Sequence, residues 1–119
     1  MTPNEYQKLA MTTCNPTLNR EELLLNSLMG LCGEAGEAMD LLKKHRFHGH
    51  ELNRDALIHE LGDVAWYLAE AATALDLGLE EILTCNIEKL KARYPEGFSV
   101  ERSVHRAEAG HSQAPKEKD

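Results

Sequence analysis

Aromatic residues make up only 5% of the 119-residue chain, with a single tryptophan among them. A core has to come from Leu, Ala, Ile and Met, a palette that favours helix. The three cysteines, Cys14, Cys32 and Cys85, form no CxxC pair. An odd, scattered set argues against a disulfide framework and a structural zinc site, and fits reduced thiols, with Cys32 read as core filler. No stretch reaches the roughly 18 apolar residues of a membrane span, and "MTPNEYQKLAMTTCN" lacks a basic region followed by an apolar run. The expectation is a soluble, cytoplasmic protein with no membrane partner. Positive charge is also scarce, with 13 basic residues against 20 acidic ones and a formal charge of −7. That balance opposes binding to a nucleic-acid backbone, but not to a phosphate substrate whose charge is met by metal ions. GxxxxGK[ST] and GxSxG loops are missing as well.

What is present is helical periodicity, and the fold class read from it is all-α, of the four-helix-bundle type. A chain of this length fits one domain, assigned to 1–99, followed by a polar, weakly periodic tail over 100–119 whose last ten residues read as disordered. The first helix is placed over Pro3 to Thr13, with Thr2 as N-cap and Pro3 at the first helical position. The second runs from Asn19 to His45, opening on Glu21 and Glu22. Its apolar residues form one stripe of Leu24, Leu28, Leu31, Ala35, Ala38 and Leu42, and a second of Leu25, Met29, Cys32 and Met39. Two stripes imply burial on two sides, one of them against a second subunit. The third helix, Arg54 to Asp76, also has two apolar faces and ends at the glycine of "DLG". The fourth, Leu79 to Tyr94, stops at Pro95 and Gly97.

Carboxylates interrupt this pattern twice at one spacing. "GEAGEAMD" carries Glu34 and Glu37, and "HELGD" carries Glu60 and Asp63. Residues i and i+3 share a helix face about 5–6 Å apart, so each pair projects as a unit beside packing surface. If the two helices lie antiparallel, as their short connection suggests, the four acids converge. They cannot all stay ionised near a core unless a cation sits between them, and oxygen-only ligation suits Mg²⁺ or Mn²⁺. Ordinary solvated helix positions are the competing reading, and spacing alone does not remove it.

Further residues carry two readings each. Tyr67, one turn beyond Asp63, lines a ligand pocket or a packing edge. Asn86, Lys89 and Arg93 share a stripe that holds phosphates or is a solvated basic face near a helix C-terminus, the simpler reading on spacing alone. His45, His48 and His50 share a loop but match no zinc spacing. A di-iron centre would need Glu-x-x-His on two helices, and the one match, Glu108 with His111, falls in the tail.

Taken together, "GEAGEAMDLLKK", "FHGHELN", "HELGDVAWYL" and "NIEKLKARYPEGFSVERS" resemble the MazG-like all-α nucleoside triphosphate pyrophosphohydrolases, related to dimeric dUTPases and dCTP pyrophosphatases. The resemblance covers Leu24 to Arg106. It implies hydrolysis of (deoxy)nucleoside triphosphates at the α–β phosphate bond to monophosphate and pyrophosphate, a house-cleaning activity on the nucleotide pool. By it, Glu34, Glu37, Glu60 and Asp63 are Mg²⁺ ligands and the catalytic set, with Mn²⁺ as a substitute. Asn86, Lys89 and Arg93 are nucleotide or phosphate contacts, Tyr67 faces the sugar, and Lys44 is a further phosphate candidate. Many members carry EExxE where this chain has Gly33 before Glu34, which leaves the metal count open. The family's dimers and tetramers also account for the second apolar stripe, so a homo-oligomer is expected. The competing class is a non-catalytic helical protein that binds nucleotide or metal without turnover.

Overall fold

The computed structural model describes residues 1–109, with side chains through Arg106. Over that span it is helical, with five helices and no strand, as the all-α reading requires: α1 (Pro3–Met11), α2 (Arg20–His48), α3 (Arg54–Ala74), α4 (Leu79–Arg93) and α5 (Val100–Ala109). The chain divides into two units, Met1–Glu80 and Glu81–Asp119. No helix among the described residues is long and apolar enough to cross a membrane.

Local chemistry sets the helix ends in the first unit. Thr2 and Glu5 form a capping box around α1, with Pro3 just inside it. At α2 the Asn19 carboxamide oxygen accepts from the Glu22 amide at 2.9 Å, and the Glu22 carboxylate accepts from the Asn19 amide at 3.0 Å. Both satisfy donors that a helix start otherwise leaves unpaired. The far end of α2 lies three residues beyond the expected stop at His45. Nothing before Gly49 breaks the helix, His45, Arg46 and His48 suit its negative end, and Gly49 closes it at φ 72°. Of the three histidines read as one loop, His45 and His48 therefore belong to the last turn of α2. Beyond α3 the left-handed position is taken by Asp76 (φ 59°) rather than by Gly78, a conformation aspartate tolerates better than most residues. A side chain at Gly78 would instead press on Asn4, whose amide atoms lie 3.0 Å from a Cβ built there.

Packing in this unit centres on α3, which lies along α2 and also carries α1. Asn26 bonds to Glu70 at one end of the α2–α3 seam, and Glu37 approaches Glu60 at the other. Rising numbers on one helix meet falling numbers on the other, so the two are antiparallel. Among the described residues the buried apolar ones are small: Ala10, Ala69, Ala71, Ala72 and Ala74, with Leu79 the one large apolar member. Alanine lets helix axes approach closely but contributes little apolar area. Meanwhile Leu25, Met29 and Met39 remain 60%, 66% and 64% exposed, and Ile58 and Leu61 54% each. The second apolar stripe of α2 is thus uncovered within one chain. Cys32, on that stripe, is exposed and is not core filler.

In the second unit, Tyr94 packs against Phe98, ring centroids 5.6 Å apart and planes tilted by 42°, across a turn closed by Gly97 at φ 90°. Val100–Ala109, read as the start of a weakly periodic tail, is a helix. Ser99 caps it, its hydroxyl accepting from the Arg102 amide at 3.1 Å, and Val100 and Val104 fall one turn apart. The segment read as disordered, 110–119, and the Glu108/His111 side-chain pair lie outside the described residues.

The capping box of α2 yields a stability prediction. Asn19→Ala should lower unfolding free energy by about 1 kcal/mol, read from urea or thermal denaturation. An unchanged midpoint would mean that water replaces the cap without loss.

Candidate metal centre

Because α2 and α3 run antiparallel, the strip Ser27, Gly30, Glu34, Glu37 faces the strip Glu60, Asp63, Tyr67, Glu70. This is the polar strip of α2 that lies between its two apolar stripes. Its fit depends on Gly30: a Cβ there would stand 2.1 Å from the Tyr67 ring, so the ring lies directly on the α2 backbone. The seam closes around that contact, and the acids lie one to two turns further along.

Carboxylate oxygens of Glu34, Glu37 and Glu60 lie within 4.8 Å of one another. Glu34 and Glu60 are half-buried and Glu37 is exposed. The fourth expected acid, Asp63, stands outside that triad but lines a cleft with Glu34. Glu34 Oε2 and Glu60 Oε2 are buried with no hydrogen-bond partner. An ionised carboxylate only accepts, so two such oxygens face to face need a proton or a cation between them. With no metal the pair resolves by proton sharing. The pKa of the Glu34 carboxyl is pushed up to about 7, first by the hydrogen bond that its protonated form gives to Glu60, then by desolvation, then by the charges of Glu37, Glu60 and Asp63. Orphaned oxygens and an all-carboxylate donor set both fit a hard divalent cation such as Mg²⁺.

Beside the acids opens a cleft of about 380 Å³ lined by Thr13, Glu34, Asp63, Trp66 and Tyr67. The Tyr67 hydroxyl is held protonated, its pKa raised first by burial and then by the charges of Glu34, Glu70, Asp63 and Glu37. It is a neutral group among carboxylates. Tyr6 on α1 is raised likewise, by burial and then by the charge of Asp63.

Lys44 lies further along α2, paired with Asp40 at 2.9 Å, which together with Lys43 holds the Asp40 carboxyl below its usual range. Asn86, Lys89 and Arg93 occupy one stripe of α4 in the second unit, Arg93 half-buried with its Nε unpartnered. The histidines do not assemble into a centre. His45 Nδ1 bonds to the His50 carbonyl at 2.8 Å, and His48 is exposed.

Three residues of consequence escaped the sequence reading. Thr13 and Trp66 line the cleft, and Glu70 is wholly buried. Its carboxylate accepts from Asn26 Nδ2 at 2.9 and 3.0 Å and from the Cys14 thiol at 3.4 Å. The thiol is itself pushed up, chiefly by burial and then by that bond, and so stays a donor. Glu70 was legible in part, because 60, 63, 67 and 70 continue one helical stripe. Thr13 gave no signal, since it reaches the cleft only through tertiary packing.

Comparison with known proteins adds an independent line. Residues 23–98 match the family model of the MazG nucleotide pyrophosphohydrolase domain. The chain is also 42% identical over 73 residues to the Gene 37 protein of Mycobacterium phage L5, covering 58% of this chain and 64% of that protein, so it spans less than two-thirds of the relative's length. No solved structure matches significantly. The family match takes in most of the chain, including both acid pairs and the α4 stripe, and the chain belongs to the MazG nucleotide pyrophosphohydrolase family.

Proposed function

We propose that this protein hydrolyses (deoxy)nucleoside triphosphates between the α and β phosphates, releasing a monophosphate and pyrophosphate and clearing unwanted nucleotides from the pool. The observation that carries the reading is that Glu34 and Glu60, each with a buried oxygen that has no hydrogen-bond partner, bring carboxylate oxygens within 4.8 Å of each other and of Glu37. Glu34, Glu37 and Glu60, joined by Asp63 from the cleft side, hold Mg²⁺, with Mn²⁺ as a substitute. Bound Mg²⁺ neutralises phosphate oxygens and acidifies a water.

The other roles belong to the chain. A carboxylate of the set takes the proton of the attacking water. Tyr67, neutral and seated against Gly30, faces the sugar. Asn86, Lys89 and Arg93 serve the nucleotide or its phosphates, the flat guanidinium suited to paired phosphate oxygens and the ammonium acting as a point charge. Lys44 is a secondary phosphate contact, since Asp40 already occupies its ammonium. A second copy of the chain covers the stripe of Leu25, Met29 and Met39, giving a homo-oligomer.

Pyrophosphate release across a nucleotide panel with Mg²⁺ tests the activity. Glu60→Gln should lower kcat/KM on the order of a hundredfold or more, in keeping with the several kcal/mol that metal polarisation supplies. No release from any triphosphate, or undiminished turnover in the variant, sinks the reading.

The acid pair also predicts a pH dependence in the metal-free protein. Glu34 has a folded-state pKa of about 7 against an ordinary value of 4.5. Between those values the folded protein binds the extra proton, so stability falls as pH rises through the window. In EDTA the melting temperature should drop from about pH 5 to about pH 8, and Mg²⁺ should restore it at the upper end. Glu34→Gln, neutral throughout and able to donate to Glu60, should show a shallower drop. Equal slopes for both proteins would place the titration elsewhere.

Sedimentation addresses assembly. An oligomer at micromolar concentration is expected, and a stable monomer there would refute coverage of the second stripe by another copy.

A further inference from the structure

Trp66 is placed in the cleft by a segment that precedes the family-matched residues 23–98. Its indole Nε1 donates to the Ala10 carbonyl at 3.0 Å and to the Thr13 hydroxyl at 2.9 Å. Thr13 in turn donates its own hydroxyl proton to the Ala10 carbonyl at 2.8 Å. The end of α1 therefore consumes the one N–H that the indole possesses. The ring is further fixed by an edge contact with Tyr67, with centroids 5.1 Å apart and planes at 84°.

That bonding pattern limits what the cleft wall can offer a ligand. Of the five lining residues, Glu34 and Asp63 are carboxylates engaged by the cation reading, Thr13 has spent its proton, and Trp66 has spent its N–H. Tyr67 presents a neutral hydroxyl, and Trp66 presents aromatic surface. The volume of about 380 Å³ lies near the lower end of the roughly 300–1,000 Å³ typical of small-molecule sites. It suits the nucleoside end of a substrate whose phosphates lie toward the acids.

We infer that Trp66, locked by α1, is the stacking platform for the nucleobase, so that the cleft holds its substrate by the π-face of the base and not by its hydrogen-bonding edge. This rests on the triphosphate reading above and deepens it. Every base has a π-face, so stacking tolerates base identity where edge bonding would not. The substrate class is then nucleoside triphosphates broadly, with discrimination falling on the sugar beside Tyr67. Thr13 and the Ala10 carbonyl act as positioning groups, setting the indole's orientation without touching the base.

Trp66 is the chain's only tryptophan, so wild-type fluorescence reads the contact directly. The titrants are α,β-methylene deoxynucleoside triphosphates of the four bases with Mg²⁺, a base-less deoxyribose triphosphate and inorganic tripolyphosphate. The four nucleotides should quench saturably with dissociation constants within about tenfold of each other, whereas the two base-less compounds should leave the emission unchanged. By calorimetry, Trp66→Ala should weaken nucleotide binding by about tenfold while sparing the base-less triphosphate, and Trp66→Phe should recover most of the loss.

Nucleotide binding without quenching overturns the inference. So does an equal loss for the base-less compound in Trp66→Ala, or one base bound more than about a hundredfold tighter than the rest, which would mean edge readout. Pyrophosphate release without base-dependent quenching overturns stacking and leaves the hydrolase reading standing. Quenching by all four nucleotides with no hydrolysis of the natural triphosphates supports stacking and removes the hydrolase. Neither binding nor turnover removes both. Should Trp66→Ala fail to fold, the wild-type titration and Trp66→Phe still decide.

Discussion

Between α2 and α3 the carboxylates of Glu34 and Glu60 each bury an oxygen that no donor reaches. A helix pair can hold such groups together only if a proton or a cation stands between them, because like charges at this range repel strongly once water is excluded. With a proton, the repulsion within the pair is relieved. A divalent cation bound between them would relieve the same repulsion, since the acids are already held near one another. The seam thus gathers carboxylates whose repulsion it does not itself neutralise, and the rest of the first unit can be understood as the frame that keeps them together.

That frame is made of small residues. Gly30 admits the Tyr67 ring to the α2 backbone, Ser27 is fully buried with its hydroxyl turned back to the Leu24 carbonyl at 2.7 Å, and the alanines from Ala69 to Ala74 fill the far end of α3. Close helix approach leaves little room for leucine and methionine in the interior. They stand outside instead, as Leu25, Met29, Met39 and Leu61 do together with Ile58. Tight packing around the acids and an uncovered apolar flank are therefore two sides of one arrangement. Glu70 shows the same economy in polar form: a wholly buried carboxylate tied to Asn26 on α2 and to Cys14 beyond α1, linking three segments at the end of the seam opposite the acid triad.

Much of this was legible from periodicity. Helix interiors followed from apolar spacing, and the cap at Thr2 followed from side-chain chemistry that acts within one turn, whereas Asn19, read as the first residue of its helix, is the cap before it. The acid pairs were visible because i, i+3 spacing is a property of the helix alone. Illegible were the features that need a second element to exist. Thr13 is an unremarked residue after α1 until Trp66 donates to it from 53 positions away. The left-handed turn at Asp76 went unseen because glycine two residues later offered the more familiar ending. Cys32 followed its apolar neighbours on the wheel, yet the wheel cannot say which apolar positions the chain itself will cover, and Leu28 and Leu42 of the first stripe are exposed as well.

Gly30 and Gly33 lie three residues apart on one helix and are there for different physical reasons. A Cβ at position 30 would strike the Tyr67 ring at 2.1 Å, while one at position 33 would meet nothing within 4 Å. Space does not demand glycine at 33, and helix propensity opposes it by about 1 kcal/mol relative to alanine. The consequence of a charged side chain there would be electrostatic. A further carboxylate there, as in many of the sequences this chain resembles, would stand immediately before Glu34, whose carboxyl already resists ionisation beside Glu60, Glu37 and Asp63. Each added acid raises the repulsion that must be offset before metal-free protein can fold, and raises the cation charge needed to neutralise the set. A chain whose first unit buries little beyond alanine has less apolar burial with which to offset that repulsion.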